Sequence, residues 1–353
     1  MSIGSCNAGV GKPLVTILIK ALNEDQTIAA CIEAALREGE AVDAEVVLVD
    51  SLSIDATLRI ARHYAIRIVQ FQHRADLGCG AAVQLGYQHA RGDFVYVLDG
   101  DMVLQSGFLR RALDMLLQDE QLAGVGGKLL ESQILTASDE RRAQAAAQQK
   151  HPVFVDELGG GGLYRRSAID SVRYLAHRWL PAFEEAELGM RLRTAGWRLL
   201  RLPTVAVIHT GHPENNFAML RRLWNNRRAH AGGMLLRTAL GTRWWWRACR
   251  KQWHVLLTLT IHLSAALAAG LLPTTGWLSG FVILEAATWL LLTSALAVRK
   301  RSLRTAAFSV LSWQFFCLAA VLGFGKSVPS PALPITSTTL AWAKCRQIGS
   351  DST

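Results

Sequence analysis

The stretch that most constrains this chain is Phe94–Met102, FVYVLDGDM. An apolar, β-favouring run (Phe94 to Leu98) ends abruptly at Asp99-Gly100-Asp101. A short run rich in branched and aromatic residues, bounded by turn residues, reads as a buried strand of a parallel sheet. Open α/β sheets place their ligands beyond the carboxyl ends of the strands, where these carboxylates stand. Gly100 allows a sharp turn between them, so both side chains can face one site. Hard oxygen ligands at this spacing suit Mg²⁺ or Mn²⁺ with phosphate oxygens completing the shell. The alternative is an ordinary Asp-Gly turn after a strand.

The residues before this stretch repeat one pattern. Leu14–Lys20 reads as a strand broken by Asn23-Glu24-Asp25, and a helix follows with Ile28, Cys31, Ile32, Ala35 and Leu36 on one face. Asp25 or Thr27 is its expected cap. Glu45–Val49 is a second strand, ending at Asp50-Ser51, with a helix opening at 53–55. Ile66–Phe71 is a third, and Asp76-Leu77-Gly78-Cys79-Gly80 leads into a helix over 81–90. Strands alternating with helices predict βαβ units and a mostly parallel sheet flanked by helices, a Rossmann-like nucleotide-binding half. Glu24, Asp50 and the Asp99/Asp101 pair all fall at strand ends, which lie side by side in such a sheet. There they can accept hydrogen bonds from a base and a ribose, or hold a metal; each one singly could be a helix cap. No Walker-type phosphate loop is present, and Gly78-x-Gly80 does not complete a dinucleotide fingerprint. A divalent metal is then the natural carrier of diphosphate charge.

The following hundred residues offer further candidates. Gly159–Gly162 is a run of glycines that allows close approach of the backbone to a ligand, or a mobile flap; a flexible loop is the plainer reading. Arg165 or Arg166 beside it could support phosphate charge. A helix with Leu188, Leu192 and Ala195 on one face ends at Gly196 and opens with Glu184 and Glu185. Acidic residues in a first turn also simply favour the helix dipole. Glu187 is spaced to pair with Arg191. A strand pair over 197–207 leads to His209, the better of two histidines there for a metal ligand, with His212 the other.

The 353 residues are half hydrophobic and carry a net charge of +10. Much of that charge lies in 221–251 and 299–304, beside long apolar runs. Arg and Trp interleaved in this way fit an anionic membrane surface, and no nucleic-acid module is present. Three apolar segments, roughly 255–272, 276–298 and 306–324, approach the length needed to span a bilayer. The loop at 273–275 is uncharged and that at 299–304 is basic, so the positive-inside rule puts the first outside and the second in the cytoplasm. Three spans would put the tail after 328 outside; a re-entrant third segment would reverse this. The six cysteines show no paired spacing and read as reduced packing thiols, and the N-terminus has no signal-peptide core, which places the catalytic part in the cytoplasm.

With these residues in hand, the chain resembles the family 2 glycosyltransferases of GT-A fold. The matching stretches are ILIKALNEDQTI (17–28), VLVDSLSIDAT (47–57), RADLGCGAAVQLGYQHARGDFVYVLDGDM (74–102), GGGGLYRRSAI (159–169) and FEEAELGMRLRTAGWRLLRLP (183–203). The resemblance implies a nucleotide-diphospho-sugar donor, foremost a UDP-sugar, a Mg²⁺ or Mn²⁺ cofactor, and inversion at the anomeric carbon. It implies that Glu24 and Asp50 contact the nucleoside, Asp99 the ribose or metal, and Asp101 the metal. It places Asp76, Gly161 and Arg165 near the donor, and makes Glu185, beside Glu184, the general base, with His209 an added metal ligand. Lys20, Leu22, Ser51, Cys79 and Glu185 stand where the family often has Pro, Tyr, Asp, Lys and Asp.

The expected organisation is an N-terminal tail (1–12), a GT-A domain (13–215), basic Trp-rich interfacial helices (216–254), two to three transmembrane helices (255–325) and an irregular tail (326–353). The expected activity is transfer of a sugar to a lipid-linked or polysaccharide acceptor at the cytoplasmic membrane. The rival readings are a polyprenyl-phosphate acceptor, and an inert nucleotide-sugar-binding scaffold of an envelope-assembly complex, the latter motivated by Ser51, Cys79 and Glu185.

Overall fold

The structure, a computed structural model, describes residues 12–211, 215–271 and 276–340. The N-terminal tail, His212, the 273–275 loop and the end of the chain beyond Leu340 lie outside the described residues. The chain forms two compact units, Met1–Met219 with Pro329–Thr353, and Leu220–Val328.

The first unit is built on one ten-stranded sheet. Strands β1 (Val15–Ala21), β2 (Ala44–Asp50), β3 (Arg67–Phe71) and β4 (Phe94–Asp99) alternate with helices α1 (Ile28–Glu40), α2 (Thr57–Ala61) and α3 (Cys79–His89). These four strands are parallel neighbours in the order β3-β2-β1-β4. After the Asp-Gly-Asp turn come β5 (Met102–Leu104), α4 (Phe108–Gln118), β6 (Leu122–Glu131), α5 (Ala137–Gln148), β7 (Val153–Phe154), β8 (Gly162–Arg165), α6 (Arg166–Ser171), α7 (Glu184–Thr194) and β9 (Arg198–His209). The sheet continues from β4 through antiparallel β8 to β6, β9 and β5, with β7 added on β9.

Side chains of a strand alternate between the two faces of its sheet. Val15, Ile17, Ile19 and Ala21 therefore pack with Phe94, Tyr96 and Leu98 against α1 and α4, while Leu18, Val95 and Val97 pack against α3, α6 and α7. Burial on both faces is why these strands read as unbroken apolar runs. The same alternation sends Lys20 and Asp99 to the α7 face, directly opposite each other in the β1–β4 register.

Several expectations need correction. Neither Asp25 nor Thr27 caps α1 through its side chain: the Thr27 hydroxyl donates to Glu24 Oε2 at 3.1 Å instead. The second helix starts at Thr57, because residues 53–56 are held as a turn by Asp50, Asn23 and Asp55, whose oxygens accept from Ser53, Ile54 and Thr57 N–H groups. Residues 198–209 are one long strand pairing with β6 through register shifts, in place of a strand pair. The tail is not irregular throughout. Ser337–Leu340 forms β10, antiparallel to β3 at the sheet edge, and Ile335 is buried among Val47, Val49, Val69, Phe71 and Leu85.

The second unit holds α8 (Asn216–Asn225, whose first residues belong to the other unit), α9 (Ala231–Ala239), α10 (Trp245–Lys251), α11 (Trp253–Gly270), α12 (Trp277–Lys300) and α13 (Leu303–Phe324). The last three are long and apolar enough to cross a bilayer.

Ile335→Ala should cost ~2–4 kcal/mol of stability in the first unit, because a buried branched side chain is lost from a closed cluster. Thermal denaturation in detergent followed by circular dichroism checks this; an unchanged midpoint would mean that the tail does not complete that core.

Candidate active site

The carboxyl ends of β1 and β4 meet the start of α7. Lys20 Nζ lies 3.2 Å from Asp99 Oδ1 and 3.1 Å from Glu184 Oε1, with the Lys20 side chain only 16% exposed. Burial works against the ammonium, but Asp99 and Glu184 outweigh it and hold its pKa above the ordinary range. Glu185 is the next residue of α7. Burial, then the charge of Glu184, pushes its carboxyl up to about 8, against the pull of Lys20. A small, half-open cleft lies between Lys20, Glu184 and Glu185, walled by Val83, Tyr164 and Leu188. Phe183, in the left-handed region at φ 69°, turns the chain into α7 so that both glutamates sit in its first turn.

The glycine run frames this cleft. Gly159, Gly160 and Gly161 all have positive φ, conformations that L side chains resist. A Cβ on Gly159 would sit 3.7 Å from Glu185 Oε2, and one on Gly161 would meet Tyr96 Oη at 2.9 Å. The loop thus passes beside the Glu185 carboxylate as a shaped wall.

A second cluster forms where the Asp-Gly-Asp turn meets the end of β9. His209 Nε2 lies 3.1 Å from Asp101 Oδ2, and its Nδ1 lies 2.6 Å from Glu131 Oε2. The hydrogen bond to Asp101, against burial and aided by Glu131, raises the imidazole to about 9. Asp101 Oδ1 is buried without a hydrogen-bond partner. Burial and the charge of Asp101 lift Glu24 to about 7. Gly100 serves this turn by close approach: a Cβ there would meet Glu24 Cγ at 3.2 Å and Lys20 O at 3.3 Å.

The residues fit a divalent cation. One carboxylate oxygen is left over, and Glu131 takes Nδ1, so a bound metal would take Nε2 by displacing its proton and its hydrogen bond to Asp101. Among the described residues no group of three His, Cys, Asp or Glu side chains is set to enclose an ion. The protein thus offers Asp101 and His209, which suits a metal whose remaining ligands are substrate phosphates and water. Asp99 is drawn to Lys20.

Of the predicted site residues, the structure groups Asp99, Glu184 and Glu185 around Lys20, sets Gly161 in the adjoining loop, and joins Asp101 to His209 with Glu24 nearby. It does not bring in three others. Asp50 is fully buried, and its oxygens accept from Gln70 Nε2 at 2.7 Å and Ser53 N at 3.2 Å, so it shapes the 51–55 turn. Asp76 is ion-paired to Arg178 at 2.6 Å. Arg165 pairs with Phe94 at the opposite end of β4, and its guanidinium donates to the carbonyls of Leu116, Leu122 and Asp119. Arg166 likewise donates to Gly92 O at 2.6 Å. Sequence reasoning missed Glu131, which carries no local signal, and the role of Lys20, whose signal is a cation ending an otherwise apolar strand.

Glu131→Gln should weaken Mn²⁺ binding in the presence of a nucleoside diphosphate by roughly 10–100-fold, as loss of a histidine's orienting carboxylate does. Calorimetric titration checks this; equal affinities would remove His209 from the metal site.

Comparison with known proteins finds likenesses over part of the chain. Residues 16–173 match the family model described as glycosyl transferase family 2. The chain is 36% identical over 115 residues to the chondroitin synthase of Escherichia coli, covering 32% of this chain and 17% of that protein. It is 34% identical over 119 residues to the dodecaprenyl-phosphate galacturonate synthase of Rhizobium johnstonii, covering 29% of this chain and 35% of that one. The chain therefore spans well under two thirds of these relatives. Its fold is similar to that of the mannosyltransferase PcManGT from Pyrobaculum calidifontis, solved with GDP-Man and Mn²⁺, at TM-score 0.59 and 18% identity over 89% of this chain and 87% of that one. Residues 16–173, a little under half of the chain, thus match the glycosyl transferase family 2 model, and the chain has a GT-A fold.

Proposed function

We propose that the chain is a membrane-held, inverting glycosyltransferase that moves a sugar from a nucleotide-diphospho-sugar to a lipid-linked or polysaccharide acceptor. The observation that carries this is the placement of Glu185: a carboxylate in the first turn of α7, beside the glycine loop and next to the Lys20–Asp99 pair. A general base works best with a pKa near the operating pH, and Glu185 at about 8 meets that condition.

In this reading Glu185 takes the proton of the acceptor hydroxyl while its oxygen attacks the anomeric carbon. The bond from that carbon to the diphosphate oxygen breaks, and its electron pair leaves with the nucleoside diphosphate. Attack opposite the leaving group inverts the configuration. Asp101 and His209 would hold Mg²⁺ or Mn²⁺, which neutralises diphosphate charge when bound. Glu24 and the turn ordered by Asp50 meet the nucleoside, and Asp99, fixed by Lys20, meets the ribose. Gly159 keeps the wall beside Glu185 free of side chains, and Gly161 lets the loop pass close over Tyr96.

The three apolar helices and the Arg- and Trp-rich α8–α10 support a place at the cytoplasmic face of the inner membrane. The likeness to a dodecaprenyl-phosphate galacturonate synthase favours polyprenyl phosphate as a second acceptor class. A product that partitions into organic solvent separates it from a polysaccharide product.

Because Glu185 must be ionised to act, transfer should rise with pH through about 8 and level off above it. Glu185→Gln should lose about 10²–10⁴-fold in kcat and with it this limb of the profile. The stability sign runs the other way. A carboxyl held above its unfolded value of 4.5 is fully favourable below that pH, and this contribution is lost as pH rises toward 8. Glu185→Gln should therefore melt above wild type at pH 9 and with it at pH 4.5. Wild-type activity with no titration near pH 8, or a Gln variant of normal rate, would exclude Glu185 as the base.

A further inference from the structure

The chain leaves the catalytic unit at Leu220 and returns to it at Pro329. The return is built into the fold. Ser337–Leu340 pairs with Ile68–Phe71, the Ile335 N–H donates to Gln88 Oε1 at 3.1 Å, and Arg178 donates to the carbonyls of Leu333 and Pro334 at 2.9 Å each. A folded domain lies on one side of a bilayer, so an excursion that starts and ends in it crosses an even number of times. Yet three helices in the excursion, of 18, 24 and 22 residues, are long and apolar enough to cross. One of them does not.

The contacts inside the second unit single out α13. Its middle packs on the beginning of α11 and on α8: Trp313 lies against Trp253 at 5.2 Å between ring centroids, Phe316 against His254 at 6.3 Å and Phe315 against Trp224 at 5.6 Å. The end of α13 rests on the short helix α9 and the turn before it. A Cβ on Gly233 would fall 1.8 Å from Ala320 O, and one on Gly323 would fall 2.1 Å from His230 O, so the backbones touch. Arg237 donates to Phe324 O at 2.9 Å, and Lys326 Nζ lies 3.0 Å from His230 Nδ1. Both ends of α13 therefore adjoin cations: Arg299, Lys300, Arg301 and Arg304 at its start, Arg237 and Lys326 at its end. Cations at both ends mark both ends as cytoplasmic. By contrast, the 271–276 connection between α11 and α12 carries no charge.

We propose that α11 and α12 cross the bilayer as a hairpin while α13 stays in the leaflet on the catalytic side, its ends among anionic headgroups. The tail then lies on the same side as the catalytic domain, where it closes the sheet edge. A polar cluster joins the three helices: His262 Nδ1 is 2.9 Å from Glu285 Oε1, His262 Nε2 is 2.8 Å from Gln314 Oε1, and Trp289 Nε1 donates to Glu285 Oε2 at 2.7 Å. It fastens α13 to the hairpin and accounts for the acidic residue inside α12. The inference rests on the membrane part of the proposed function and is independent of the sugar chemistry.

The test uses the full chain in bacterial cells, carrying alkaline phosphatase either inserted at Thr274 or fused after Thr353, with green fluorescent protein fused after Thr353 as the counterpart. The expected result is an active phosphatase at Thr274, an inactive one at Thr353, and fluorescence at Thr353. An active phosphatase at Thr353 would mean three crossings, and an inactive one at Thr274 would mean that the hairpin does not cross; either overturns the proposal. A second measurement needs no fusion. The double variant Gln70→Cys/Thr338→Cys, paired in the β3–β10 register, should form a disulfide when isolated membranes are oxidised. Failure to form it would show that the tail does not return to the sheet.

Discussion

One buried ammonium holds the active end of the sheet together. Lys20 ends β1 on the face shared with Asp99 and reaches across to Glu184 at the start of α7. Without a cation there, Asp99, Glu184 and Glu185 would crowd like charges into a half-buried cleft, and repulsion of that kind is relieved by protonation or by movement. Lys20 pulls against the rise that burial imposes on Asp99 and on Glu185, and in both the rise prevails. Glu185 is thus the carboxyl lifted to about 8.

The site divides by charge. On the β1–β4–α7 side, an internal cation orders acids around a cleft. On the β5–β9 side, Asp101, His209 and Glu131 form a chain in which one carboxylate oxygen remains open. The first arrangement suits proton removal and the second suits a metal holding phosphate. The turn of Asp99-Gly100-Asp101 links them, sending adjacent acids to different partners. The glycine loop lines the cleft beside Glu185 with backbone.

Much of this was legible in the sequence, because strand ends in a parallel sheet are fixed by where apolar runs stop. Asp99, Asp101 and Glu24 follow from that rule, Glu185 opens a helix and is singled out only by the family resemblance, and Glu187 pairs with Arg191 at 2.7 Å as its spacing predicts. What escaped depends on face and register. Asp50 ends its strand facing Gln70 of β3, so it is consumed internally. Arg165 follows the glycines in sequence, but its strand runs antiparallel and carries it to the far end of β4. Glu131 becomes visible only when β6 and β9 are aligned, residue 131 beside 209. The tail's strand was hidden by a Pro-, Ser- and Thr-rich composition, since a four-residue edge strand needs little intrinsic propensity once Ile335 anchors it.

The most direct test of the central claim is metal-dependent release of nucleoside diphosphate. The detergent-purified chain, with Mn²⁺ or Mg²⁺, is offered UDP-, GDP- and dTDP-sugars with and without membrane lipid extract, alongside Asp101→Ala and Glu185→Gln. One donor class should support release that needs the metal and that both substitutions abolish. Failure of the folded protein to bind any donor, or release that survives both substitutions, would contradict it.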